Sequence, residues 1–372
     1  MKQVRVGVVG CGNISSQYFR FARQFPILDI AACADLDPAR AKAQAAEFGV
    51  PRAGGVADLL ADESIEIILN LTIPAAHVEV GLAALDAGKH VYSEKPLAAS
   101  VAEGRKLLEA AEAKSLRVGC APDTFLGTAQ QTCRKLIDEG AIGRPLAATA
   151  FMLCPGHESW HPDPAFYYQP GGGPMFDMGP YYLTALINLL GPARRVTGLT
   201  GVLNREREVG SGPKAGEKIE VNTADHVAGH LEFESGAIAT LVTSFATRFA
   251  TYDGAHPIAI YGSEGTLQVP DPNRFDGTVR LRRVCDADWQ EVKAEHTHPN
   301  GRSLGLADLA HAVQAARPHR ASAELAFAVL GAMEGFQRSS DEGRHVALEM
   351  EHARPAMLPV GLRDGWIGES GA

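Results

Sequence analysis

Asp177 and Tyr181 stand four residues apart in "GGGPMFDMGPYYLTALINLLGP" (171–192), directly after three glycines and a proline. That spacing places both side chains on one face of a helix. A carboxylate there can accept from a hydroxyl, and a phenol can carry a proton. Lys95, in "YSEKPL", is a third candidate. Pro96 behind it biases Lys95 toward extended backbone, so its amine is presented from the end of a strand. Each of these residue types can accept, hold or pass a proton. Read singly, each has an ordinary alternative: an N-cap, a surface tyrosine, and a solvated Glu94-Lys95 pair before a turn.

Pro180 lacks an N–H and fits a first helical turn, which predicts a helix beginning close to Asp177 and stopping at Gly191-Pro192. Asp177, Tyr181, Thr184 and Asn188 form its polar face, expected to look into a cleft. Tyr182, Ala185, Leu186 and Leu189 form the apolar face, expected in the core. Tyr181, not Tyr182, is then the tyrosine placed for chemistry.

The elements that hold these residues alternate. "VRVGVV" (4–9), "LDIAACAD" (28–35), "IEIILNLT" (65–72), "HVYSEK" (90–95) and "RVGCAP" (117–122) read as buried parallel strands. Helices separate them, among them "DPARAKAQAAEFG" (37–49), with Asp37 as N-cap, Pro38 at the first position and Gly49 as the stop. Such alternation predicts a doubly wound α/β domain over residues 1–122. From Asp123 the pattern changes. After a helix at about 128–139, strands such as "PLAATAFML", "DHVAGHLEFES" and "IAIYGSEGTLQVP" dominate, and helices at 303–316 and 322–338 follow. This predicts an α+β domain over 123–372 with a large, mostly antiparallel sheet. The last residues, "LRDGWIGESGA", read as weakly ordered.

"VGVVGCGNIS" sets Gly10, Gly12 and Ser15 between the first strand and a helix. Gly10 permits the tight turn, and Gly12 lets backbone approach a pyrophosphate at the helix N-terminus. Ser15 stands where glycine or alanine is usual and is small enough for close packing. Asp35 ends the second strand, placed to accept from the adenosine ribose hydroxyls. A carboxylate there repels a 2′-phosphate, which favours NAD over NADP, although Arg40 nearby could soften that preference.

With 372 residues, two domains are expected. The net charge of −9 excludes wholesale binding to nucleic acid or an anionic membrane, both of which need a basic face. None of the six cysteines forms a C-x-x-C pair, so reduced, mostly buried thiols are expected. No signal peptide and no apolar run long enough to span a membrane is read, so the cytoplasm is the expected compartment.

The glycine fingerprint with Asp35, "AGKHVYSEKPLA" (87–98), "GGGPMFDMG" (171–179) and "YGSEGTL" (261–267) resemble the Gfo/Idh/MocA family over nearly the whole chain. The resemblance implies a Rossmann domain, then an α/β domain whose exposed sheet makes a homodimer or homotetramer. It implies an NAD(P)-dependent oxidoreductase of sugars, cyclitols or related polyols. Lys95 matches the family's active-site lysine, often before a cis proline, and Asp177 its substrate-binding aspartate. Tyr181 stands where many members carry histidine; branches resembling glucose–fructose oxidoreductase and dihydrodiol or xylose dehydrogenases also use tyrosine there. Gly10, Gly12, Asn13, Ile14, Asp35, Leu71, Thr72, Ile73, Pro74, His77, Glu94 and Lys95 are the expected dinucleotide contacts. Asp123 follows "GCAP" where members often have asparagine, which leaves its role open.

The implied chemistry is hydride transfer between a carbinol carbon and the nicotinamide. Lysine and tyrosine both titrate near 10 in water, so either alone is a poor base at neutral pH. Burial beside a positive ring lowers a lysine, and a lysine cation lowers a tyrosine. Tyr181 and Lys95 are therefore expected to relay the proton while Asp177 fixes a neighbouring hydroxyl. In "CPGHESWHPDPAFYYQPGGG" (154–173), Trp160 and His161 are the expected substrate contacts, offering an aromatic face and a hydroxyl partner. His157, Glu158 and His161 are too loosely spaced for a metal, and none is expected. "HTHPN" (296–300) reads as a solvated loop. Two alternatives stay open: a lyase, epimerase or glycosidase that oxidises and re-reduces its sugar on retained NAD, and a non-catalytic NAD-binding regulator.

Overall fold

The structure is a computed structural model that describes residues 2–251, 254–348, 352–362 and 365–367. Its residues form two compact units: Met1–Gln131 with Ala294–Phe327 and Pro355–Ala372, and Thr132–Lys293 with Ala328–Arg354.

The first unit is built on six parallel strands: β1 (Val4–Val9), β2 (Leu28–Ala34), β3 (Ala53–Gly54), β4 (Ile67–Asn70), β5 (His90–Ser93) and β6 (Val118–Cys120). Their order is β3-β2-β1-β4-β5-β6, the doubly wound arrangement with its crossover at β1. Val4, Val6, Val8, Ile67, Ile68 and Leu69 are fully buried, as strands covered on both faces require. The connecting helices are α1 (Ser15–Ala22), α2 (Pro38–Phe48), α3 (Val56–Ala61), α4 (His77–Asp86) and α5 (Val101–Ala113). The caps of α2 are those its sequence predicts. Asp37 accepts from the Ala39 N–H at 2.9 Å, and Gly49 closes the helix at φ 63°.

This unit differs from the linear division into 1–122 and 123–372. Residues from the later part return to it because β6 offers a free edge. The Cys120 N–H donates to the Ala321 carbonyl at 3.0 Å, beside a bridge from Gly119 to Ser322. "HTHPN" is not a solvated loop. His296 and His298 are each 3% exposed, and their Nε2 atoms meet the carbonyls of Leu358 and Leu126. Burial pushes His298 down to about 4. In the C-terminal stretch that read as weakly ordered, Leu362 and Ile367 are buried and Trp366 packs edge-on against His311; residues 363, 364 and 368–372 lie outside the described residues.

The second unit holds a nine-stranded sheet. Its strands are β7 (Pro145–Leu153), β8 (Ala193–Gly201), β11 (His226–Phe233), β12 (Ile238–Ser244), β13 (Ile258–Gly262), β14 (Gly265–Val269), β15 (Val279–Arg283), β16 (Gln290–Val292) and β17 (Val346–Ala347). The order is β16-β15-β14-β13-β7-β12-β11-β8-β17, antiparallel throughout except for β7 beside β12. A separate hairpin pairs β9 (Glu206–Glu208) with β10 (Lys218–Glu220). Helix α7 (Gly173–Leu190) packs on β7, β11 and β12. The chain passes between the units within α6 (Thr128–Asp138), after Lys293, within α9 (Ala323–Glu342) and after Arg354, and α8 (Leu304–Ala315) belongs to the first. Leu199, Ile238 and Tyr261 stand exposed on the sheet face turned away from α7.

Candidate active site

In the first unit, the turn after β1 is shaped by one glycine. Gly10 sits at φ 98°, and a Cβ on it would lie 2.6 Å from the Leu71 carbonyl carbon and oxygen. Around Gly12, by contrast, the space is open. Ser15 donates to the Gly12 carbonyl at 2.6 Å and is fully buried, so the small third residue packs and also ties down the turn. Asp35 lies beside this turn. One of its oxygens accepts from the Cys11 N–H at 2.8 Å and the other from the Asp37 N–H at 2.9 Å. A carboxylate has about four acceptor positions, so capacity remains for ribose hydroxyls. Arg40 is 3.6 Å from Asp35.

These residues fit a dinucleotide. Gly12 leaves room for a pyrophosphate, and two large apolar side chains stand in water on the loops flanking the turn. Leu36, after β2, is 98% exposed and Ile73, after β4, is 69% exposed. A flat apolar surface laid on either recovers part of the roughly 1.5–3 kcal/mol that full burial of such a side chain gives. The sequence reading missed Leu36, although an apolar residue just past a carboxyl-end acid was its signal. Asn13 and Pro74 are exposed, and Gly12, Ile14 and Thr72 half-buried, as lining residues should be. Leu71, His77 and Glu94 are buried and lie beneath the surface instead. The His77 ring faces the Pro96 carbonyl at 2.7 Å and the Thr72 carbonyl at 3.0 Å, tying the loop after β4 to the lysine turn. Burial holds this imidazole below its ordinary range despite both carbonyls.

Lys95 follows β5, and the Lys95–Pro96 peptide is cis. Between Val91 and Ala98 it alone is not buried. Its N–H donates to Glu94 Oε2 at 3.0 Å, and Glu94 Oε1 accepts from the Tyr18 hydroxyl at 2.7 Å. Burial would raise the Glu94 carboxyl, but the charges of Arg302 and Lys95 and the Tyr18 bond outweigh it and hold it low. Behind lies Asp123, fully buried, accepting from the Gly305 N–H at 3.0 Å with Arg302 at 3.7 Å. Burial pushes Asp123 up to about 6, against Arg302 and the Gly305 bond.

Asp123 therefore gives this unit a measurable pH dependence. A carboxyl raised on folding holds its proton more tightly in the folded state. Its contribution is fully present below 3.8 and is lost as pH rises through about 6. That gap is worth about 3 kcal/mol. Asp123→Asn cannot lose it, so the variant's melting temperature should gain on the wild type between about pH 4 and pH 8. A difference that stays constant across that range would refute a raised Asp123.

In the second unit, α7 starts earlier than the sequence reading placed it. Pro174, not Pro180, occupies the first turn, and Pro180 is interior. The Phe176 carbonyl therefore has no N–H to receive four residues on, a break in the ladder one residue before Asp177. Asp177 is thus no N-cap. The three glycines hold backbone or space that a side chain would not fit. Gly171 and Gly173 have φ of 86° and 79°, and a Cβ on Gly172 would lie 2.6 Å from the Phe166 carbonyl. The expected polar face does not hold along its length. Asn188 is buried, its amide oxygen taking Arg134 at 3.2 Å, and Thr184 is buried as well. Tyr181 and Tyr182 are both buried, at 5% and 3% exposed. Asp177 is half-buried, and His157 Nε2 meets its Oδ2 at 3.2 Å.

His157 begins an aromatic wall. Its ring lies edge-on to Trp160, Tyr167 and Phe245, and His161 packs on Trp160, Phe166 and Tyr167. Trp160 is 60% exposed and Phe166 57%. Glu158 is held by Arg207 at 2.8 Å and by the Tyr168 hydroxyl. Among the described residues, no group of three His, Cys, Asp or Glu side chains is arranged to hold a metal ion.

A parallel six-stranded sheet with a glycine turn and a carboxyl-end acid defines a dinucleotide-binding domain. Residues 4–121 match the oxidoreductase family with an NAD-binding Rossmann fold, and residues 130–268 match the GFO/IDH/MocA C-terminal domain. The chain belongs to the Gfo/Idh/MocA family of NAD(P)-dependent oxidoreductases. It is 28% identical to 1,5-anhydro-D-fructose reductase of Ensifer adhaerens over 75% of this chain and 80% of that one. It is 26% identical to D-xylose 1-dehydrogenase (NADP(+)) 2 of Haloferax volcanii over 92% and 99%. The apo form of levoglucosan dehydrogenase shares its fold, with a TM-score of 0.81 at 22% identity over 95% and 100% of the two chains.

Proposed function

We propose that this enzyme moves a hydride between NAD and a carbinol or carbonyl carbon of a sugar, cyclitol or related polyol. The observation that carries the reading is the dinucleotide turn beside Asp35, with Lys95 presented between buried residues from the end of β5, two strands along the same sheet from β1. NAD, when bound, accepts or gives the hydride. In this reading Lys95 and Tyr181 hold and pass the hydroxyl proton, and Asp177 accepts from a neighbouring hydroxyl. Trp160 and His161 meet the sugar's apolar face and hydroxyls. Asp35 receives the ribose and disfavours a 2′-phosphate. The exposed apolar face of Leu199, Ile238 and Tyr261 supports a homodimer or homotetramer. Among the described residues, no helix is long and apolar enough to cross a membrane. The free cysteines, four of them buried, support a cytoplasmic setting.

The test is a coenzyme assay with NAD⁺ and NADP⁺ over D-xylose, myo-inositol and levoglucosan, and with NADH over 1,5-anhydro-D-fructose. Turnover with one of them, faster with NAD, is expected. Asp35→Ser should raise the KM for NAD⁺ about tenfold or more and narrow the preference over NADP⁺, since it removes both the ribose acceptor and the repelling charge. Tight NAD binding without turnover of any sugar or polyol would overturn the dehydrogenase reading.

A further inference from the structure

The loop before α7 places a histidine on the candidate substrate-binding aspartate. His157 Nε2 lies 3.2 Å from Asp177 Oδ2, and the two side chains are 14% and 19% exposed. A carboxylate accepts, so the imidazole carries a proton on Nε2 to make this bond. The backbone beneath the ring is fastened at several points. The His157 N–H donates to the Tyr168 hydroxyl at 3.2 Å, and that hydroxyl donates to Glu158. Arg207 donates to the Pro155 carbonyl at 2.7 Å and to Glu158 at 2.8 Å. Ring contacts then fix the imidazole plane, with the Tyr167 and Phe245 centroids both 4.5 Å away. An imidazole held this firmly against a half-exposed carboxylate is a built arrangement, not a chance surface pair.

We propose that His157 is a positioning residue for the reaction: it acts through Asp177, setting the direction in which that carboxylate accepts from a substrate hydroxyl. The proposal rests on the sugar or polyol reading above. A hydrogen bond to a charged group that orients a reacting partner is felt mainly in turnover, because misplacement is paid at the transition state.

Two substitutions separate the hydrogen bond from the packing. His157→Phe keeps a ring among Trp160, Tyr167 and Phe245 but has no donor. His157→Gln keeps an N–H donor at similar reach but gives up the ring. With the sugar or polyol found in the coenzyme assay, His157→Phe is expected to lower kcat about 30-fold with KM within about threefold. His157→Gln should stay within about threefold of the wild type. The reverse order would show that His157 only fills space and would overturn the proposal. Nitrogen NMR of histidine-labelled protein, assigned with His157→Gln, reads the pair without any substrate. The wild type should show the Nε2–H form at His157, and Asp177→Ala should redistribute the proton between Nε2 and Nδ1. Identical His157 signals in both proteins would refute the pair in solution. If no sugar or polyol turns over, the sugar reading falls, while the nitrogen spectra still decide whether the pair exists.

Discussion

Lys95→Met is expected to lower turnover by about 10³-fold, with NADH binding, read by its fluorescence, unchanged within about threefold. The magnitude is that of a lost general acid or base. The local structure makes the readout clean. The Lys95 backbone is held by its N–H on Glu94 and by the next residue's carbonyl on His77, and neither bond uses the amine. Methionine keeps an unbranched apolar stem of similar length, so the turn should stand while the charge and the proton carrier vanish. The melting temperature should fall modestly, because the Lys95 charge helps hold the buried Glu94 carboxyl low. A Lys95→Met enzyme within about tenfold of the wild type would remove the lysine from the proton path. A large loss of NADH binding with unchanged turnover at saturation would assign Lys95 to the coenzyme alone.

The parts of this molecule that were legible in the sequence are those set by neighbours along the chain. Asp37, Pro38 and Gly49 bracket α2 through contacts within a turn, so spacing alone located both ends. Gly10 and Asp35 were legible because the turn and the strand end obey fixed backbone geometry. The start of α7 was not, since two prolines, Pro174 and Pro180, compete for the first turn and only tertiary packing of the glycines decides. Asn188 looked like a cleft residue because its partners, Arg134 and Arg354, lie 54 and 166 positions away. "HTHPN" looked solvated for the same reason, with acceptors at Leu126 and Leu358. His157 carried a signal only as a poor metal ligand, since its role depends on Asp177, 20 residues on. Polar residues whose partners are distant are where hydropathy and periodicity fail.

Arg207 shows how far such a partner can reach, and Arg207→Met is expected to have the largest effect on stability. Its side chain is 8% exposed and carries four hydrogen bonds: to the Pro155 and Phe245 carbonyls at 2.7 Å, to Glu158 at 2.8 Å and to Asp225 at 3.0 Å. Burial alone would lower the guanidinium, yet the two carboxylates outweigh it and raise it. Methionine fills similar volume but leaves Asp225, fully buried, with only the Leu203 and Asn204 donors, among the described residues, against its charge. Breaking one partner of such a pair costs about 3–5 kcal/mol. For a unit of this size that is a fall of about 10 °C in its melting temperature. The same substitution removes the Arg207 bonds to Pro155 and Glu158 and leaves the Tyr168 hydroxyl to hold Glu158, so the loop that presents His157 to Asp177 is held more loosely, and kcat should fall well below that of any surface variant. Arg207→Met combined with Asp225→Asn separates the two effects. Removing the stranded charge should recover part of the stability, while kcat stays low because the Pro155 and Glu158 bonds are still missing. Recovery of kcat in step with stability would mean that the clamp acts only by keeping the unit folded.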